Sequence, residues 1–196
     1  MMHTNRKNNT SPGATLPFRI YLTGFMGSGK SFVGKALANR IGIGFYDLDD
    51  LIVEAAGKSI PEIFEQKGED YFRQIERRCL LQTENLGRAI IATGGGTPCF
   101  FDNMEYINRQ GLSIFLDASP EILLERLLTE KDQRPLLAQL ADPAAFIRQK
   151  RLERLPFYEQ AHIVYHLDTA EQPVVEDLTR FFGRIAVPVI PPKPES

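Results

Sequence analysis

The chain has 196 residues, 43% of them hydrophobic and 24% charged, and carries a formal net charge of -2. That is enough for one domain with a filled core, and the charge balance argues against broad nucleic-acid binding, which draws on excess Lys and Arg. No run reaches the ~18 apolar residues of a membrane span, and the two cysteines, Cys79 and Cys99, fit neither C-x-x-C nor zinc spacing and read as reduced thiols.

Residues 1–17 hold no apolar segment and are expected to form a disordered arm, not a signal peptide. Residues 18–23 are β-prone and stop at a glycine-rich turn. From 31 to 41, Val33, Leu37 and Ile41 recur at helical spacing with Ala38 between them. Residues 43–48 read as a second strand. Ser59 with Glu62 three positions on is a capping-box pattern, with Pro61 in the first turn, and a longer helix is expected over 69–86. Residues 89–92 form a short buried strand halted by Gly94-Gly95-Gly96, and 113–116 another, after which Ser119-Pro120 opens a helix. Residues 129–142 break the regularity as a lid-like insertion. Asp142-Pro143 then starts a helix through Arg154, 163–167 is the last strand, and 171–182 the last helix. The proline-rich tail at 185–196 is expected to be flexible. Strands alternating with helices predict an α/β fold, a parallel sheet covered on both faces, as a single domain over 18–184.

The chemistry begins at Gly24-Phe25-Met26-Gly27-Ser28-Gly29-Lys30-Ser31, which matches G-x-x-x-x-G-K-[ST] with a strand before it and a helix after it. Glycines let backbone N–H groups close around a phosphate, and the helix start adds its positive dipole end. Lys30 supplies a point charge for the β- and γ-phosphates, and the Ser31 hydroxyl is a hard-oxygen ligand for magnesium. The loop predicts a bound nucleoside triphosphate without naming the acceptor. No N-K-x-D or D-x-x-G motif supports a GTPase switch, and the short chain with a lid-like insertion favours a small-molecule kinase over a motor. Residues 114–117 resemble a motor's acidic strand only loosely, and Asp117 reads equally as a turn residue.

The second strand ends in Asp47-Leu48-Asp49-Asp50, where carboxylates can hold magnesium through water or orient an acceptor hydroxyl. Asp49 or Asp50 could equally cap the next helix. Arg73, Arg134 and Arg154 read singly as surface charges, or together with the loop as clamps for a carboxylate or a transferring phosphate. The glycine run at 94–96 is either a tight turn or a place where backbone meets ligand. His162 and His166 lack the acidic or cysteine company of a metal site.

In order along the chain, G-F-M-G-S-G-K-S, D-L-D at 47–49, F-R-Q-I-E at 72–76, A-T-G-G-G at 92–96, R-P-L-L at 134–137 and R-L-P-F-Y at 154–158 resemble the shikimate kinase family. The resemblance implies a nucleoside monophosphate kinase-like, three-layer α/β/α P-loop fold with a five-stranded parallel sheet. It further implies an acceptor-binding helical part over about 48–86 and a lid over about 129–142. The implied reaction moves the γ-phosphate of ATP to the 3-hydroxyl of shikimate, with Mg2+ as cofactor. Carried over residue by residue, Gly27, Ser28, Gly29, Lys30, Ser31 and Phe32 cradle the ATP phosphates, and Ser31, with Asp47 through water, holds the metal. Lys30, Asp49 and Arg134 are the implied catalytic residues. Arg73 and Arg154 grip the shikimate carboxylate; Gly94, Gly95 and Gly96 border the substrate; Phe64 and Phe72 wall its ring; and Arg126 and Pro173 frame the adenine. Phe32 stands where relatives often carry threonine, and the spacing around Arg126 and the adenine loop departs from the family pattern by one residue. The competing expectations are a gluconate-type kinase, a nucleoside monophosphate kinase and a non-catalytic nucleotide-binding regulator. The expected partners are the two small molecules, with no nucleic acid and no membrane; the chain is expected to be a cytoplasmic monomer.

Overall fold

A computed structural model describes residues 19–129, 142–169 and 171–184. Five strands, β1 (Arg19–Thr23), β2 (Gly44–Asp47), β3 (Ala89–Ala92), β4 (Leu112–Ala118) and β5 (Ile163–Leu167), form one sheet in the order β2-β3-β1-β4-β5. Every pairing is parallel, with Ile20 opposite Ile90 and Ile114 opposite Ile163. The seven described α-helices are α1 (Lys30–Ile41), α2 (Leu48–Ala56), α3 (Ile60–Gln82), α4 (Asn103–Gln110), α5 (Pro120–Thr129), α6 (Pro143–Tyr158) and α7 (Val174–Arg184).

Strand alternation divides the core into two. Ile20, Leu22 and Ile90 face a cluster with Val33 and Leu37 of α1, Leu123 of α5, Tyr158 of α6 and Phe182 of α7. Tyr21 and Ile91 face the other, with Ile52 of α2, Phe72 and Ile75 of α3 and Ile107 of α4. The result is a three-layer α/β/α domain whose strand carboxyl ends open on one edge, where ligands bind in such sheets. Strand order reverses on either side of β1, which places the β1–α1 loop at the centre of that edge.

Several elements differ from expectation for local reasons. α3 starts at Ile60, where the Ser59–Glu62 capping box is formed as read, and it is kinked at Gly68, whose φ of 79° and ψ of 177° leave helical geometry just before residue 69, the expected start of the longer stretch. It stops at Gln82, short of Leu86. α2 is capped by Asp47, whose Oδ1 accepts from the Asp49 amide at 3.0 Å; neither Asp49 nor Asp50 is the cap. α4 has no counterpart in the sequence reading. α6 continues past Arg154 to Tyr158 with Pro156 inside its last turn, and α7 starts at Val174, behind Pro173. Asp117 is not a turn residue: it lies within β4 and pairs with Arg151 of α6 at 2.5 Å and His166 of β5 at 3.0 Å. The expected arm, tail and most of the 129–142 insertion, with Arg134, lie outside the described residues.

Candidate active site

The loop from β1 to α1 takes its shape from glycine. Gly27 and Gly29 hold φ of 80° and 92°, and a Cβ on Gly24 would stand 2.7 Å from the Leu116 carbonyl oxygen. Gly29 caps α1 without a side chain, so the first-turn N–H groups of the helix are left for an anion. Lys30 is 8% exposed, and its Nζ donates to the carbonyls of Gly24 at 3.0 Å and Phe25 at 2.9 Å, which aims the ammonium across the loop mouth.

Ser31 leads from the loop to the carboxylates. Its hydroxyl donates to Asp47 Oδ2 at 2.5 Å, so one aspartate both caps α2 and holds Ser31. A hydroxyl and a carboxylate side by side at a phosphate site are the hard-oxygen donors that magnesium takes. The donor set therefore fits the implied ion. Asp49, two positions beyond the cap, has its carboxyl pKa pushed up to about 6, first by burial, then by the neighbouring Asp47, against the pull of Lys30. A cavity of about 370 Å³ joins Lys30, Ser31 and Phe32 to Asp47, Asp49, Gly94 and Gly95. An adjoining cavity of about 420 Å³ brings Ser28, Phe32 and Arg126 together with Pro173. Arg126 donates weakly to the carbonyls of Gly27 and Ser28, at 3.4 and 3.3 Å.

The acceptor side is built where α3 meets the loop after β3. Arg73 is held in its plane by Glu69, which accepts from Nε at 3.2 Å and Nη2 at 3.0 Å, and by Glu76, which accepts from Nη1 at 2.8 Å. Three of the five guanidinium N–H groups are thus engaged in these bonds, and the ends of Nη1 and Nη2 remain for a ligand. The backbone of Gly96 lies against this fork: a Cβ there would stand 2.8 Å from Nη1. A Cβ on Gly94 would meet Thr97, Glu76 and Asp49 at 2.9 to 3.1 Å. Arg154 Nη1 reaches the Gly95 carbonyl at 3.3 Å, and its guanidinium sits 5.3 Å from the centre of the Phe25 ring. Phe64 and Phe72 pack with ring centres 4.6 Å apart, the former exposed and the latter buried.

Three participants escaped the sequence reading. Glu76 is 1% exposed and ties Arg73 to Thr97, whose hydroxyl donates to Glu76 Oε1 at 2.6 Å. Its i,i+3 spacing from Arg73 was the available signal. Tyr158, fully buried, donates its hydroxyl to the Gly95 carbonyl and so fixes the glycine run. Phe25 supports Arg154. The two described histidines serve structure: His162 Nδ1 accepts from the Ser113 amide at 3.2 Å, and His166 pairs with Asp117. Cys99 is half-buried near Arg154, and burial pushes its thiol up to about 11, which leaves it protonated and unreactive at neutral pH. Among the described residues no helix is long and apolar enough to cross a membrane.

A phosphate-cradling loop at the centre of a parallel sheet, open toward a half-buried aspartate and two arginines, defines a P-loop phosphotransferase with a small anionic acceptor. The shikimate kinase family model matches residues 26–185. A shikimate kinase of Bacteroides fragilis is 46% identical over 155 residues, 78% of this chain and 87% of that protein. The crystal structure of shikimate kinase from Bacteroides thetaiotaomicron superposes with a TM-score of 0.78 at 40% identity, covering 85% of this chain and 98% of that one. The enzyme from Acinetobacter baumannii, solved in complex with shikimate, gives 0.75 at 35% identity, covering 88% of this chain and 93% of that one. The chain belongs to the shikimate kinase family, ATP-dependent phosphotransferases.

Proposed function

We propose that this chain transfers the γ-phosphate of ATP to the 3-hydroxyl of shikimate, giving shikimate 3-phosphate and ADP. The observation that carries the reading is the cavity joining Lys30 and Ser31 to Asp49 and the glycine run, with the Arg73 fork beside it. Shikimate offers one carboxylate and three hydroxyls. Arg73 and Arg154 suit the first, and Asp49 with the backbone at 94–96 suits the others. ATP would place its phosphates on the N–H groups of Gly27 to Phe32 and its adenine in the cavity of Arg126 and Pro173.

In-line transfer asks for alignment and charge neutralisation more than covalent help. Asp49 accepts a hydrogen bond from the attacking hydroxyl and takes its proton as the new O–P bond forms. Lys30 turns from its loop carbonyls to the β- and γ-phosphate oxygens and stabilises charge on them. Ser31 and Asp47 would hold Mg2+, which when bound supplies positive charge to the phosphates. Arg134, outside the described residues, is assigned to the phosphates from the lid at 129–142. The same proposal treats 18–184 as one kinase domain and the chain as a cytoplasmic monomer.

Arg73→Ala tests the acceptor assignment. The KM for shikimate should rise at least ~10-fold, the loss of a charge-assisted pair, with the KM for ATP kept within about twofold. Equal damage to both substrates contradicts the role.

A further inference from the structure

The carboxylates around Arg73 fix its guanidinium within its plane, but they do not fix the tilt of that plane about the Glu69–Glu76 line. The tilt decides whether the two remaining N–H groups meet a carboxylate edge-on. Besides the Gly96 backbone, two aromatic rings lie against the guanidinium: the Phe100 ring centre is 4.0 Å from Arg73 Cζ, with Phe72 at 4.9 Å. An electron-rich ring face attracts a cation and orients a planar one parallel to itself.

Phe100 is itself placed with effort. The next residue, Phe101, has φ of 54° and an exposed side chain, a conformation a bulky residue adopts only when its surroundings impose it. Those surroundings are visible. Arg77, one helical turn after Arg73, pairs with Asp102 at 2.5 Å and donates to Asn103 Oδ1 at 2.6 Å. Asn103 Nδ2 in turn donates to the Thr97 carbonyl at 2.7 Å, and Thr97 is bonded to Glu76. The loop at 97–103 is therefore fastened to the face of α3 that carries Arg73, and the strained Phe101 turn delivers the Phe100 ring against the guanidinium.

We infer that Phe100 is a positioning residue for acceptor recognition: its ring sets the tilt of the Arg73 fork and so the affinity for the acceptor carboxylate. This rests on the reading of Arg73 as the acceptor's fork. Phe100 acts through Arg73, not by touching the reacting atoms, so its effect belongs in the KM for shikimate.

The test compares Phe100→Leu, which fills space without a π face, with Phe100→Tyr, which keeps the face. For Leu, the KM for shikimate should rise about 5- to 20-fold, the range expected for a partly desolvated cation–π contact, while kcat and the KM for ATP stay within about twofold. Tyr should remain within about twofold of the unaltered enzyme in all three. With the uncharged carboxamide of shikimate, the Leu-to-Phe ratio of KM should fall toward one. A Leu variant with normal shikimate KM, a Tyr variant as impaired as Leu, or an undiminished ratio with the carboxamide would each overturn the inference. If Phe100→Leu does not fold, judged by near-UV circular dichroism, Phe100→Met carries the same comparison. Arg73→Lys run alongside separates the two levels. Should it leave the shikimate KM unchanged, the fork reading itself fails; should it raise that KM while Leu does not, only the Phe100 inference fails.

Discussion

Gly96→Ala separates the acceptor site from the fold. Gly96 has φ of -95° and ψ of -18°, where alanine is at ease, so the backbone gives no reason for a loss. The new methyl carbon would stand 2.8 Å from Arg73 Nη1, 2.9 Å from Nη2 and 3.1 Å from Cζ. Ordinary carbon–nitrogen contact begins near 3.5 Å, so the guanidinium must withdraw by about half an ångström. Being the end of a long side chain, it can do so at small cost to stability, roughly 1 kcal/mol or less as one hydrogen bond to Glu76 or Glu69 lengthens. The two N–H groups left for the acceptor are displaced by the same amount. Losing a charge-assisted pair is worth about 1.5–3 kcal/mol, which is about 10- to 100-fold in the KM for shikimate. Steady-state kinetics of ADP release and a thermal melt on the same preparation check both halves. A variant with unaltered shikimate KM and native melting temperature refutes the idea that the fork sits where the methyl would go.

Other expectations follow from the same geometry. In metal-free protein, Asp49→Asn should melt higher than the unaltered chain at pH 7.5, because the folded state holds the Asp49 proton at about 6 against an ordinary 3.8. That contribution to stability is fully present below 3.8 and lost as pH rises through 6. The roughly 2 pH units are worth at most about 3 kcal/mol, or about 5 °C after discounting for a partly exposed carboxyl; melts from pH 4 to 8 check it, and a difference that persists at pH 4 counts against burial as the cause. Tyr158→Phe should cost about 1 kcal/mol and raise the shikimate KM about threefold, since Gly95 keeps only the Arg154 bond; an unchanged melting temperature contradicts this. Ser31→Ala should melt normally, its site being exposed, yet need more Mg2+ and lose about 100-fold in kcat/KM. A magnesium titration with an unmoved midpoint removes Ser31 from the metal site.

What was legible in the sequence was local. The loop at 24–31 carries its own geometry in its glycines, and Ser59 with Glu62 announces a cap that forms as read. β5 emerges at its expected residues because Ile163–Leu167 is a β-prone run between polar residues. The longer helical stretch expected from residue 69 does begin at a break, because Gly68 leaves helical geometry with φ of 79° and ψ of 177°, while Ile63 before it and Phe72 after it pack on one core. α4 went unread because Met104, Tyr106 and Ile107 make a short apolar face without a side-chain cap. In the site, the Ser31–Asp47 pair spans 16 residues, Thr97–Glu76 spans 21 and Tyr158–Gly95 spans 63. Each depends on which strands are neighbours, and no local pattern encodes that. Asp47 shows the ambiguity well: in the sequence, capping and site chemistry are alternatives for its neighbours Asp49 and Asp50, yet the one carboxylate of Asp47 caps α2 while also holding Ser31.

The identity of the acceptor is open to direct measurement. Purified chain with magnesium-ATP should release ADP in proportion to added shikimate, with 31P NMR showing one new phosphomonoester on the 3-hydroxyl and no comparable turnover with gluconate or nucleoside monophosphates. Folded protein that turns over gluconate or a monophosphate at shikimate's expense, or that releases ADP at the same rate without any acceptor, would contradict the account.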